Sequence, residues 1–169
     1  MAAKIISVIS FFLLAGMPAF PQADSAKIYH PDANVQEEFS NSLLRAAKEN
    51  KHVLLMIGGN WCKWCIRFDK FCKQNQHLDS LLKENYVIMH VNYSPENRNL
   101  PFLASLSYPQ RFGFPVFVVT DANGQRLHTQ NSWYLEDGKD SYDAEKVAAF
   151  FSDWTADALK PGHYAEKPK

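Results

Sequence analysis

Apolar residues recur along this chain with two periods, and the switches between them mark its elements. Val35, Phe39, Leu43 and Ala46 repeat at helical spacing, with Glu37, Glu38, Arg45 and Lys48 opposite. This predicts a helix capped by Asp32 or Asn34 and closed at ENKH, residues 49–52. HVLLMIGG, residues 52–59, is a nearly continuous apolar run stopped by paired glycines, the pattern of a strand buried on both faces. Helical spacing resumes in CIRFDKFCKQN, residues 65–75, where Cys65, Phe68 and Cys72 share a face, and continues in LDSLLKEN, residues 78–85. YVIMHVNYS, residues 86–94, reads as a second strand. A loop-rich connection follows over residues 95–111, with a helical turn expected between Phe102 and Leu106. FPVFVVTDANGQRLHTQ, residues 114–130, predicts a strand, an Asn-Gly turn and a return strand. After a polar-aromatic connection, Val147, Phe150, Phe151, Trp154 and Ala158 form the stripe of a last helix, with Asp143 at its start and Pro161-Gly162 beyond its end.

This order of elements predicts an α/β domain over residues 35–160, a mixed sheet flanked by helices. Residues 24–34 read as a linker and residues 161–169 as a frayed tail. The first residues differ from the rest. One cation, Lys4, precedes an apolar run from Ile5 to Ala15, then Gly16, Pro18 and small residues lead to a polar turn at Gln22. That anatomy predicts a secretory signal peptide over residues 1–23, cut after Ala23 or, as second choice, Ala19. The run is shorter than the ~20 residues of a membrane-spanning helix. Met17 stands where a lipoprotein signal carries its cysteine, so a lipid anchor is not expected. The expected location is outside the cytoplasm, periplasmic or extracellular.

Eighteen basic residues balance eighteen acidic ones, and no basic block gathers them. The charge pattern therefore points away from nucleic acid and from an anionic membrane surface. The chain holds three cysteines, Cys62, Cys65 and Cys72. For an exported protein these are too few for a disulfide scaffold, and one close pair plus one leftover is the natural division.

The close pair lies in GGNWCKWCIRF, residues 58–68, at the expected junction of strand and helix. Three readings are open for it. A helix starting at Cys62 aims its unpaired N–H groups at that sulfur, and with Lys63 this favours thiolate; Cys65, one turn on, is close enough to resolve a mixed disulfide. A passive disulfide is the second reading, although so short a loop gains little from cross-linking. The third is zinc, since Cys62, Cys65, Cys72 and His77 spell C-x2-C-x6-C-x4-H. On one helix Cys62 and Cys72 are about 15 Å apart along the axis, beyond the reach of one tetrahedral ion with bonds of ~2.0–2.3 Å.

VLLMIGGNWCKWC, residues 53–65, resembles the active-site strand and turn of the thioredoxin superfamily, and RFGFPVFVV, residues 111–119, resembles its cis-proline segment. The resemblance covers residues 35–160 and is greatest to exported bacterial thiol-disulfide interchange proteins. It implies a thioredoxin fold and an enzyme that exchanges disulfides with protein substrates, as reductase rather than oxidase. In that scheme Cys62 is the nucleophile and Cys65 the resolving thiol. Trp61, Phe114 and Pro115 meet the substrate chain, while Lys63, Trp64 and His90 modulate the pair. No metal or organic cofactor is implied, because the electrons reside in the Cys62–Cys65 disulfide. Partners are protein thiols or disulfides and an upstream electron donor, membrane-bound in a Gram-negative cell.

The sequence departs from the family at Met56, at His90 and at the Lys63-Trp64 dipeptide, which is neither the Gly-Pro of thioredoxin nor the Pro-His of strong oxidants and fixes neither the potential nor the direction of flow. Met56 stands where the family has a buried acid, and His90 where the next strand often has a lysine. His90 or water is then left as proton acceptor, against the plainer role of a strand histidine bonded for structure. Cys72 reads first as a small buried hydrophobe, and Trp64 either as a docking aromatic or as a helix-packing contact. The alternative to enzymatic exchange is a thioredoxin-fold binding or chaperone module with a structural disulfide. A copper-handling protein is a third class, and the sequence offers it no methionine-rich or histidine-rich tract near the motif.

Overall fold

The computed structural model describes residues 27–165, so the expected signal peptide, residues 1–23, lies outside the described residues. Helix α1 spans Val35–Glu49 and is capped by Asn34, whose side chain accepts from the N–H groups of Gln36 and Glu37. Asn50, in the left-handed conformation, closes it. Strand β1, His52–Gly58, is buried along its whole length. Helices α2, Lys63–Gln74, and α3, Gln76–Asn85, meet at Asn75, whose extended backbone breaks the helical run and whose side chain caps α3. Strand β2 is Tyr86–Asn92, and the connection after it carries the short helix α4, Leu100–Ser105, and a 3-10 turn, Pro109–Phe112. Strands β3, Val116–Thr120, and β4, Arg126–Asn131, precede a 3-10 turn at Ser132–Leu135 and helix α5, Ala144–Asp153, capped by Asp143.

The sheet order is β2-β1-β3-β4, with β1 parallel to β2 and antiparallel to β3, and β3 antiparallel to β4. The sheet is mixed and flanked by helices, as the order of elements predicted. Because successive side chains of a strand point to opposite faces, β1 feeds two cores. Leu54 and Met56 join Phe68, Cys72, Leu82, Phe117, Val147 and Phe151 under α2, α3 and α5. Val53, Leu55 and Ile57 join Val87, Met89, Phe102, Leu103 and Val118 on the other face.

The structure changes three local expectations. The β3–β4 connection is a longer turn, residues 121–125, in which the Asp121 carboxylate accepts from the N–H groups of Asn123 and Gln125. Gly124 supplies the positive φ of 83° that this turn demands. Helix α5 stops at Asp153, short of Trp154 and Ala158; Trp154 still packs against the core beside Val147, Phe150 and Phe151 and stacks on His128 of β4, ring centroids 4.3 Å apart. Beyond Pro161, residues 161–163 form a 3-10 turn, and the Tyr164 hydroxyl donates to Ala158 O.

Candidate active site

Strand β1 delivers the chain to the cysteines through Gly58, Gly59, Asn60 and Trp61. A side chain at Gly58 would collide with Cys65 Sγ and come within 3.0 Å of the Tyr29 hydroxyl, so only glycine lets the strand end pass beneath the sulfur. Cys62 N–H donates to Gly59 O at 3.0 Å and closes the turn. Cys62 is the N-cap of α2: its backbone is extended, and its sulfur accepts from Cys65 N–H at 3.1 Å. Cys62 and Cys65 are joined in a disulfide, with Cα atoms 5.2 Å apart. Both are buried, at 5% and 2% exposure.

An aromatic wall stands at the front of the pair. Trp61 is exposed, but its indole N–H donates to Tyr93 O at 2.7 Å and its ring meets Phe114 edge-on at 5.6 Å. Phe114 also packs against Tyr93, at 4.7 Å, and against the cysteine cluster. The Phe114–Pro115 peptide is cis, and Pro115 is buried at the start of β3. Beside Trp61 opens a groove of about 660 Å³ lined by Pro31, Asn60, Tyr93, Pro95 and Arg98.

The modulating residues of the sequence reading do not gather in one place. Lys63 is exposed on the outer side of α2, where it lines a second groove with Arg67 and Lys70. Trp64 is half-buried, edge-on to Tyr142 at 5.4 Å, and its carbonyl accepts from the Tyr142 hydroxyl at 3.1 Å. That contact packs α2 against the segment just before α5. His90 pairs in register with Met56 and lies behind the cysteines. Its Nε2 is buried without a hydrogen-bond partner among the described residues, 3.8 Å from Asp69 Oδ1. Burial, only partly opposed by Asp69, lowers the His90 pKa from the usual imidazole value.

Tyr29, Asn60, Asp69 and Tyr93 also belong to this site, and the sequence reading did not single them out. Tyr29 packs directly on Cys62 and Cys65 and meets the His90 ring edge-on at 5.3 Å. Ile28 and Tyr29 are the apolar pair in the otherwise polar segment before α1, the one signal that this stretch is docked rather than free. Cys72 is a buried free thiol two turns along α2 from Cys65, and burial raises its pKa far above the ordinary thiol value. Among the described residues, no group of three or more His, Cys, Asp or Glu side chains is placed to hold a metal ion. The arrangement can open and close one disulfide at a helix N-terminus, with an aromatic wall in front and an imidazole behind.

Comparison with known proteins agrees with this geometry. The thioredoxin-like domain model matches residues 39–132. A disulfide bond reductase of Chlamydia pneumoniae, DsbH, is 27% identical over 107 residues, which are 56% of this chain and 61% of that protein. The match thus spans less than two thirds of that relative's length. A disulphide isomerase of Xylella fastidiosa Temecula1 has a TM-score of 0.61 at 22% identity, covering 82% of this chain and 97% of that one. The oxidised C-terminal domain of Neisseria meningitidis DsbD has a TM-score of 0.51 at 15% identity, covering 72% and 96%. At these identities the structural likeness establishes the fold.

Proposed function

This chain belongs to the thioredoxin-like domain family, and from that premise we propose that it is an exported thiol-disulfide oxidoreductase acting on protein substrates, as a reductase. The observation that carries the reading is Cys62 at the N-cap of α2, its sulfur accepting from Cys65 N–H at 3.1 Å. That N–H and the positive end of the helix stabilise a Cys62 thiolate once the disulfide is open. The ammonium of Lys63 acts in the same sense.

In the cycle, the Cys62 thiolate attacks a substrate disulfide, and the distal substrate sulfur leaves with the electron pair and takes a proton. Cys65 then gives its proton to water and attacks Cys62 Sγ. The Cys62–Cys65 bond forms, and the second substrate sulfur departs as a thiol. Two electrons have moved from the pair to the substrate. Trp61 and the Phe114–Pro115 edge seat the substrate chain. No organic cofactor enters the scheme, and a dithiol protein, membrane-bound in a Gram-negative cell, restores the reduced pair.

The test is disulfide reduction by the chain and its cysteine variants, together with the reduction potential of the pair in glutathione buffers. Cys62→Ser/Cys65→Ser is expected to lose all exchange, and Cys65→Ser alone to trap substrates covalently through Cys62. Retained biological effect in the double variant contradicts the enzyme and favours a binding module. A potential near about −270 mV fits a reductase, whereas one near about −120 mV makes the protein an oxidant.

A further inference from the structure

Tyr29 is 1% exposed although it sits in the polar segment that leads into α1. Its backbone is clamped by a residue of the active-site turn. Asn60 Oδ1 accepts from the N–H groups of Ile28 and Tyr29, each at 3.1 Å, and Asn60 Nδ2 donates to Tyr29 O at 2.7 Å. Two residues on, Asn97 Nδ2 donates to Pro31 O at 2.8 Å, so the segment is tied on both sides of the ring. The ring fills the space between the cysteine pair and His90. Its hydroxyl and Cys65 Sγ both border the space left by the missing side chain of Gly58. Met56, on the strand below, offers a thioether and no proton donor.

We propose that Tyr29 donates a hydrogen bond to the Cys65 sulfur when the disulfide is open, and that Asn60 is the clamp that holds it in place. The inference rests on the reading of Cys62–Cys65 as a redox pair. In the resolving step negative charge develops on Cys65 between loss of its proton and formation of the bond to Cys62. A donor aimed at that sulfur lowers the cost of the charged form. Burial, with the charge of Asp69 adding to it, keeps the Tyr29 hydroxyl protonated, so it acts as a donor and not as a base. The sequence segment just before the first helix thereby becomes a working part of the site.

The experiment measures the pH dependence of Cys65 alkylation, read by peptide mass spectrometry, in the Cys62→Ser background with and without Tyr29→Phe. Phenylalanine keeps the ring between the cysteines and His90 and removes only the hydroxyl. The Cys65 titration is expected to move up by about one pH unit, a tenfold loss of thiolate. Asn60→Ala is expected to move it in the same direction with the hydroxyl still present. An unmoved titration in Tyr29→Phe overturns the proposal, and an unmoved titration in Asn60→Ala overturns the clamp. Disulfide reduction by the wild-type chain, run alongside, separates the two layers. If the wild type exchanges no disulfides, the redox reading fails; if it does and Cys65 titrates unchanged, the Tyr29 proposal alone fails.

Discussion

Behind the cysteine pair, burial pushes the Cys72 thiol and the Tyr29 hydroxyl up and the His90 imidazole down. One cause acts in both directions because removal from water always disfavours the charged form. His90 faces Asp69 and Lys73 of α2 and His30 of the leading segment; the carboxylate opposes the shift, and Lys73 and His30 reinforce it. The native chain therefore binds fewer protons at His90 than the unfolded chain does. This contribution is complete above the ordinary imidazole value and is lost as the pH falls through it toward the lower native value. The urea midpoint is expected to fall between about pH 7.5 and about pH 5.5, a window centred on ~6.5, and His90→Gln to flatten that fall. Equal slopes in the two proteins contradict the assignment. At this scale Cys62 and Cys65 were legible because three positions separate them. Tyr29 and Asn60 were not, since the hydrogen bonds joining them cross 31 residues and leave no local pattern.

Among the elements, β1 and α2 carry the site, and their junction admits little change. The apolar run of residues 52–59 announced the strand, and its paired glycines announced an end, but not why glycine is needed there. The reason is the sulfur of Cys65, which occupies the space of a Gly58 side chain. Gly58→Ala is expected to destabilise the fold by about 1–3 kcal/mol through overpacking, measured by urea denaturation, and to slow closure of the disulfide. Stability equal to wild type would mean that Cys65 has room to retreat. The helix starts at Asn34 and Asp143 followed from side chains able to accept from the first turn. The β3–β4 turn did not, because the Asp121 carboxylate competes with the Asn-Gly pair for the backbone donors.

Over the whole molecule, one sheet separates two apolar clusters, and α5 closes the cluster beneath α2 and α3. Two bonds fasten the end of that helix to the sheet: His52 Nδ1, at the start of β1, lies 2.8 Å from Trp154 O, and the Tyr86 hydroxyl, at the start of β2, donates to Phe151 O at 2.6 Å. Tyr86→Phe keeps the ring and leaves a buried carbonyl without its donor. The expected cost is about 1–3 kcal/mol, read as a lower urea midpoint with disulfide exchange intact. An unchanged midpoint would show that water reaches Phe151 O in its place.

The sequence by itself determined the order of elements, the strand buried on both faces, the cysteine pair at the strand-to-helix turn and the Phe114–Pro115 segment ahead of β3. These are properties of contiguous residues, where periodicity, capping and spacing act over a few positions. Only the tertiary structure decided that the segment before α1 docks on the cysteines, that Trp64 packs against Tyr142, and that His90 reaches the pair through Tyr29. Each of those is a contact between side chains far apart along the chain, and its partner is chosen by shape and burial in the folded core.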